Sequence, residues 1–142
     1  MLTFRTARVV LSLEERGLVL EAFRHFDAQR YTLYAVVCMP DHVHAILTPQ
    51  VKSDGSTWLL GKLVQSVKGY CAHRINARRG RRGSVWQEGY FDHIVRCERD
   101  LAEKIRYVWE NPLRARLVED PANYPFSWNR FLHGDDCGSY PL

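Results

Sequence analysis

The stretch "YTLYAVVCMPDHVHAILTP", residues 31–49, decides the fold. Its first half is rich in β-branched and aromatic residues, and its second half, 42–49, follows a Pro-Asp turn signal. The pattern predicts two antiparallel strands joined as a hairpin. His42 and His44 stand one residue apart in the second strand. Both imidazoles are therefore expected on one face of the sheet, opposite the apolar side chains between and after them.

Hydrophobic periodicity predicts further elements on both sides of this hairpin. They are a strand at 2–10, a helix at 12–29 capped by Ser12, a helix at 58–79, a strand at 90–96 and a helix at 98–111 that Pro112 ends. The order is β-α-β-β-α-β-α. This order predicts a ferredoxin-like α+β fold, an antiparallel sheet with helices stacked on one side.

Length and composition narrow the class of protein. At 142 residues the chain is long enough for one compact core and short for two, so residues 1–142 are predicted as a single domain. Residues 112–142, with their prolines and aromatics, are predicted to wrap it as a tail of short turns. The four cysteines are scattered, no signal-peptide stretch is visible, and no apolar run approaches the roughly 18 residues of a membrane span. We therefore expect a reduced, cytoplasmic protein without a membrane partner.

Two side-chain pairs carry possible chemistry. Neighbouring imidazoles at His42 and His44 can converge on one divalent metal, although two partly exposed histidines on an open sheet have the same spacing. Tyr107 and Asn111 lie four residues apart, on one face of the last predicted helix. Alone, that second pair equally fits a half-buried aromatic and a helix C-terminal residue.

Several segments, taken in order, resemble a known family. They are "CMPDHVHAIL", "VKGYCAHRIN", "VWQEGYFDHIVR", "YVWENPLRARLV" and "YPFSW". The first resembles the His-hydrophobic-His motif of the single-tyrosine HUH transposases, and the ordered set resembles their REP-associated branch. The likeness runs from the first strand to about Trp128.

This resemblance implies a metal-dependent transposase or endonuclease that cleaves and rejoins single-stranded DNA at palindromic hairpins. By resemblance, Tyr107 is the nucleophile that forms a 5′-phosphotyrosine intermediate. His42 and His44 would hold Mg²⁺ or Mn²⁺, and Asn111 matches the place of a third polar ligand. Nitrogen donors favour manganese and would also accept zinc or nickel.

The chain departs from the family pattern at two places. Asp41 stands where the family more often has asparagine, and the tail reads "YPFSWNRF" where a serine pair is commoner. Asp41 lies beside the expected metal and can alter its affinity. The tail change is expected to matter for packing alone.

Contacts with DNA are expected from a basic cluster, "RRGRR" at 78–82, beside a long basic helix. Aromatic side chains near such a groove provide stacking platforms for bases. Taken singly, each of these residues also fits a solvated side chain or, for the tryptophan, a core position. The residues predicted to contact DNA are Lys68, Arg74, Arg78, Arg79, Arg81, Arg82, Trp86, Gln87 and Arg96.

Other hypotheses remain open at this point. The chain could be a non-catalytic module of ferredoxin-like fold that binds hairpin DNA or RNA. It could also be a phosphodiesterase that activates water, with Asp41 as the base, and Tyr90 is the competing nucleophile to Tyr107. We expect a monomer, with a homodimer as the alternative.

Overall fold

The central hairpin forms as the sequence predicts. In the computed structural model, which describes residues 1–133, β2 (Tyr31–Cys38) pairs antiparallel with β3 (His42–Pro49). A residue outside the hairpin stabilises the turn between the two strands, because the backbone N–H of Thr6 donates to the carbonyl of Asp41 at 2.9 Å. This hydrogen bond holds the turn just before His42.

Three short strands complete an antiparallel sheet of five, in the order β4-β1-β3-β2-β5. β1 (Leu2–Arg5) pairs with β3, β4 (Phe91–Asp92) pairs with β1, and β5 (Ser127–Asn129) pairs with β2. The predicted strands at 2–10 and 90–96 are both shorter than expected. Sequence patterns do not predict β5, because three residues are too few to show alternation.

Within residues 1–133, four α-helices accompany the sheet. Ser12 caps α1 (Leu13–Phe26), as the sequence predicts. The structure shows a full capping box, in which Ser12 and Glu15 also bond each other's backbone. α2 (Leu60–Arg79) ends at Gly80, whose φ of 61° is the left-handed conformation that glycine adopts without strain. α3 comprises Glu98–Arg114, and the short α4 comprises Arg130–His133.

The prediction that all helices lie on one side of the sheet is wrong. α1 and α2 cover one face, where Phe4, Phe23 and Leu33 belong to the larger core. α3 covers the opposite face, where Ile105 and Val108 pack against Val37 and other residues of β2 and β3. Both faces of β2 are buried, which explains its nearly continuous apolar sequence.

Pro112 does not end α3, contrary to the prediction. The helix continues to Arg114, and its last turns are closed by hydrogen bonds from Ala115 to Asn111 and from Leu117 to Pro112. A proline removes one backbone donor, so α3 lacks the hydrogen bond from residue 112 to Val108. The ring of Pro112 is buried, and the helix ends two residues later.

The segment predicted as a tail contributes to the sheet. After α3, a 3-10 helix (Pro121–Asn123) leads to β5 and α4. Tyr124 is buried and donates its hydroxyl to the carbonyl of Cys38 at 2.6 Å, which ties the segment to the end of β2. The end of the predicted tail, 134–142, lies outside the described residues. Within residues 1–133, no helix combines the length and the apolar character needed to cross a lipid bilayer.

Candidate active site

β3 presents His42 and His44 on the face that α3 covers. Their ring centroids lie 4.9 Å apart, with the ring planes at 80°. Val43 and Ala45 point the other way into the larger core. The alternation of one strand therefore separates two polar rings from two core side chains.

Each imidazole is held through its Nδ1 atom. Nδ1 of His42 lies 2.6 Å from Oδ1 of Asp41, and Nδ1 of His44 lies 2.8 Å from Oγ1 of Thr3. Thr3 is directly opposite His44 in the β1–β3 register. These contacts leave Nε2 as the nitrogen of each ring that can meet a ligand.

Burial keeps His44 neutral. Its side chain is 7% exposed, and desolvation, with smaller effects of neighbouring His42 and of Arg5, lowers the pKa of His44 to about 4. Neutral imidazole is the form that binds metals. The hydrogen bond from His42 likewise lowers the pKa of Asp41 and favours its carboxylate form.

α3 brings Tyr107 and Asn111 to the same face. The ring of Tyr107 lies 5.5 Å from that of His44, at an angle of 74°. Asn111 follows one turn later and is 9% exposed, and within residues 1–133 no hydrogen bond occupies its side-chain amide. The guanidinium of Arg114 lies over the Tyr107 ring, 5.0 Å from its centroid, and places a positive charge beside the phenol.

Tyr90, the competing nucleophile, lies on the other side of the sheet. Its ring packs against the larger core, and its hydroxyl is next to Gly61 of α2. It follows that Tyr107, and not Tyr90, shares a surface with the two histidines.

The residues on this face fit a divalent cation by type. Two imidazoles and an amide form a ligand set that Mn²⁺ accepts, with water and a phosphate oxygen for its other positions. Within residues 1–133, no group of three or more His, Cys, Asp or Glu side chains could hold a metal ion. A third protein ligand beside His42 and His44 would therefore be of another type, as Asn111 is.

Most residues predicted to contact DNA lie on α2 or just after it. Three of them form ion pairs with α1: Arg74 with Glu21, Arg78 with Glu14, and Arg79 with Glu15. Arg81 and Arg82 follow the end of α2 and are exposed. Some arginines of this cluster therefore link α1 to α2 through ion pairs, and the others face solvent.

Lys68 and Trp86 have structural partners. Nζ of Lys68 donates to the carbonyls of Gln87 and Gly89 at 2.9 and 2.6 Å. Trp86 is 5% exposed and packs edge-on against Phe4, with 4.9 Å between ring centroids. Its indole fills the core, so it presents no open stacking surface. Contacts of these residues with DNA stay a prediction.

Arg96 lies apart from that cluster, on the α3 side. It lines a groove of about 440 Å³ between β3 and the segment that precedes α3. Ile46, Thr48 and Leu101 also line this groove, and Ile46 is the next residue after His44 on the same face of β3. The groove therefore continues the surface that carries the histidines.

Sequence reasoning missed two residues of this site. Thr3 and Arg5 pair with His44 and His42 across β1 and β3, and the charge of Arg5 acts on the pKa of His44. Strand alternation places Thr3 and Arg5 on one face of β1. The sequence does not show which strand lies beside β1, so their proximity to the histidines could not be read from it.

Two curated proteins with related names are similar to this chain in sequence. A REP-associated tyrosine transposase of Escherichia coli K12 is 26% identical over 115 residues, which is 79% of this chain and 61% of that protein. A Haemophilus influenzae protein, named as belonging to the same class, is 24% identical over 119 residues, 80% of this chain and 66% of that protein. The chain thus spans just under two thirds of the length of these curated relatives.

A solved structure shares the fold. The structure of a REP-associated tyrosine transposase bound to a REP hairpin aligns with a TM-score of 0.75 at 22% identity, and the alignment covers 99% of this chain and 80% of that one. This likeness confirms the α+β fold. A family model described as "Transposase IS200 like" matches residues 6–111, well over half of the chain and a span that contains both histidines, Tyr107 and Asn111. The chain belongs to the IS200-like transposase family.

Proposed function

We propose that this transposase-family chain is a metal-dependent enzyme that cleaves and rejoins single-stranded DNA at palindromic hairpins, with Tyr107 as its nucleophile. The observation that supports the proposal most is the position of the Tyr107 ring, 5.5 Å from the ring of His44 on the face shared by both histidines. The phenol oxygen of Tyr107 can then act as the attacking group beside side chains able to hold a divalent ion.

The proposed step exchanges one phosphoester bond for another. Oη of Tyr107 attacks the phosphorus and loses its proton to solvent, the P–O3′ bond breaks, and O3′ is released as a hydroxyl after it takes up a proton. The product is a 5′-phosphotyrosine. Because the bond energy is conserved, a second 3′-hydroxyl can reverse the step and join strands without a nucleotide cofactor.

A phenol is a weak nucleophile at neutral pH, since its pKa of about 10 leaves roughly one molecule in a thousand ionised. His42, His44 and Asn111 would hold Mg²⁺ or Mn²⁺. When bound, such an ion neutralises charge on the phosphate and orients it for in-line attack. Arg5 and Arg114 add positive charge on the same face, near the histidines and over the Tyr107 ring.

The substrate class follows from the relatives and from charge. One solved relative is bound to a REP hairpin, and two curated relatives carry the name REP-associated. In this chain, Arg81 and Arg82 are exposed beyond α2, and Arg96 lines the groove beside β3. A duplex stem on the first cluster and a single strand in the groove would use both surfaces.

The test uses end-labelled single-stranded hairpins with Mn²⁺ or Mg²⁺ and denaturing electrophoresis. Wild type is expected to give a covalent DNA–protein adduct, and Tyr107→Phe to give none, because the variant lacks the attacking oxygen. Tyr90→Phe is the matched control and should form the adduct as wild type does.

Other outcomes separate the competing functions. Cleavage that persists in Tyr107→Phe would overturn the proposal in favour of an activated water. Hairpin binding on a native gel, without cleavage by any variant in either metal, would indicate a non-catalytic binding module.

A further inference from the structure

We propose that Asp41 and Thr3 are positioning residues: each holds Nδ1 of one histidine, so that Nε2 of His42 and His44 stays deprotonated and faces the Tyr107 side of the sheet. This inference rests on the proposed function, since the orientation matters only if the histidines bind a divalent cation. Neither residue is proposed to touch the DNA.

The Asp41–His42 contact determines which ring nitrogen carries the proton. Nδ1 and Oδ1 are 2.6 Å apart, and a carboxylate can only accept a hydrogen bond. In the neutral ring that binds a metal, Nδ1 of His42 must then carry the hydrogen, which leaves the lone pair on Nε2. The carbonyl of Asp41 accepts a hydrogen bond from Thr6, which directly follows β1. The end of the strand that carries Thr3 therefore also fixes the backbone of Asp41.

The Thr3–His44 contact is built by strand register. Thr3 and His44 are directly opposite each other on β1 and β3, and Oγ1 lies 2.8 Å from Nδ1. A hydroxyl can donate or accept, and in the proposed arrangement Oγ1 of Thr3 accepts from Nδ1–H of His44. His44 is buried, and loss of the hydroxyl would leave its Nδ1 without that partner.

The two contacts should therefore differ in strength. A carboxylate that holds a histidine raises the basicity of the liganding nitrogen, and loss of such a partner typically weakens metal binding about 10- to 100-fold. The Asp41 side chain is 60% exposed, so its replacement leaves no buried polar group. We expect Asp41→Ala to have the larger effect, Asp41→Asn a smaller one because the amide oxygen still accepts, and Thr3→Val the smallest.

The first measurement is Mn²⁺ affinity, from the loss of the free-ion electron paramagnetic resonance signal on titration with protein. Asp41→Ala should weaken binding about 10-fold or more, and Thr3→Val should weaken it by less. Thr3→Ser, which retains the hydroxyl, should restore affinity. Thr57→Val, at an exposed threonine in the loop between β3 and α2, is the matched control and should bind as wild type does.

The second measurement needs no metal and no activity. Long-range ¹H–¹⁵N spectra of the histidine rings, recorded with EDTA at pH 8, should show Nδ1–H tautomers for His42 and His44 in wild type. Thr3→Val should shift His44, and Asp41→Ala should shift His42, toward the Nε2–H tautomer.

The outcomes distinguish this inference from the proposed function. If wild type binds Mn²⁺ and both Asp41→Ala and Thr3→Val bind it equally well, with unchanged tautomers, the positioning role is overturned while the proposed function stands. If neither wild type nor His42→Ala binds Mn²⁺ or Mg²⁺, the metal-dependent function fails, and the tautomer spectra still decide the positioning role.

Discussion

The two faces of the sheet differ in what their side chains do. On the face covered by α1 and α2, the buried side chains are almost all apolar, and Phe4, Phe23 and Leu33 are within 1% of full burial. On the face covered by α3, the apolar cluster is smaller and Tyr107 packs against it, while the elements that form it also carry the buried polar residues His44 and Asn111. The first face mainly stabilises the fold. On the second face, polar side chains occupy positions that apolar side chains could otherwise fill.

The difference shows how a short chain can hold a polar site in place. β3 belongs to both faces at once, because Val43 and Ala45 are buried in the larger core while His42 and His44 face α3. The strand cannot shift without breaking that core. The histidines are therefore held by apolar packing on the opposite face of the same strand.

The comparison predicts that a core substitution harms stability most. Phe23→Ala should lower the free energy of unfolding by about 3–5 kcal/mol, since it removes a buried ring and leaves a cavity. Tyr107→Phe should change the free energy of unfolding by about 0.5 kcal/mol or less, as it deletes one hydroxyl. Urea unfolding followed by circular dichroism measures both. Equal losses in the two variants would contradict the division of roles between the faces.

The next effect is the ion pair that joins α1 to α2. Glu15 is 2% exposed and accepts two hydrogen bonds from Arg79, at 2.5 and 2.6 Å. These hydrogen bonds are the main reason why the pKa of Glu15 is lowered to about 2. A lowered folded-state pKa gives stability that is present above the unfolded pKa of 4.5 and is lost as pH falls toward 2.

Glu15→Gln tests this ion pair. It should cost about 2–3 kcal/mol at pH 7, and the difference from wild type should narrow at about pH 3. Urea unfolding at the two pH values measures this dependence. Glu103→Gln, at an exposed pair with Arg99 on α3, should have little effect at either pH.

The opposite face should respond in a higher pH window. The pKa of His44 is lowered to about 4 because burial disfavours its charged form, so the unfolded state, with an ordinary pKa of 6.5, binds the proton more readily. Protonation of His44 therefore does not reduce the free energy of unfolding above about pH 6.5. Below that pH the free energy of unfolding falls as pH drops toward 4, and the loss is about 1 kcal/mol at about pH 5.5.

Titration of the His44 ring protons by nuclear magnetic resonance, in EDTA, should give a midpoint near 4. The same pH series of urea unfolding, applied to His44→Gln, should show a smaller loss of stability between pH 7 and 5 than wild type shows. A midpoint at the ordinary histidine value would contradict the burial of this ring.

The smallest expected effects concern DNA affinity. Arg81 and Arg82 are exposed beyond α2, so replacing both with Gln should reduce hairpin affinity at low salt without loss of stability. The slope of log affinity against log salt concentration should fall by about one for each phosphate that the variant no longer binds. Fluorescence anisotropy with a labelled hairpin measures both. Arg99→Gln, an exposed arginine on α3, is the matched control, and an equal reduction there would indicate general charge attraction.

Sequence patterns alone determined the parts of this protein that depend on local order. The hairpin followed from β-branched runs around a turn signal, the start of α1 from Ser12 as its cap, and α2 from its row of apolar residues. Alternation along β3 separated His42 and His44 from the core, and helical spacing placed Tyr107 and Asn111 on one face of α3. These periods depend only on backbone geometry, so they can be read without knowing the partners.

Tertiary structure alone decided which elements meet. α3 crosses to the face opposite α1 and α2, and that crossing brings Tyr107 beside His44 and leaves Tyr90 on the other side. The β1–β3 pairing brings Thr3 to His44 across 41 residues of sequence. The order of the strands, and the face of the sheet on which each helix packs, depend on apolar surfaces that are far apart in the sequence and are buried together. No local sequence pattern specifies which of these surfaces meet.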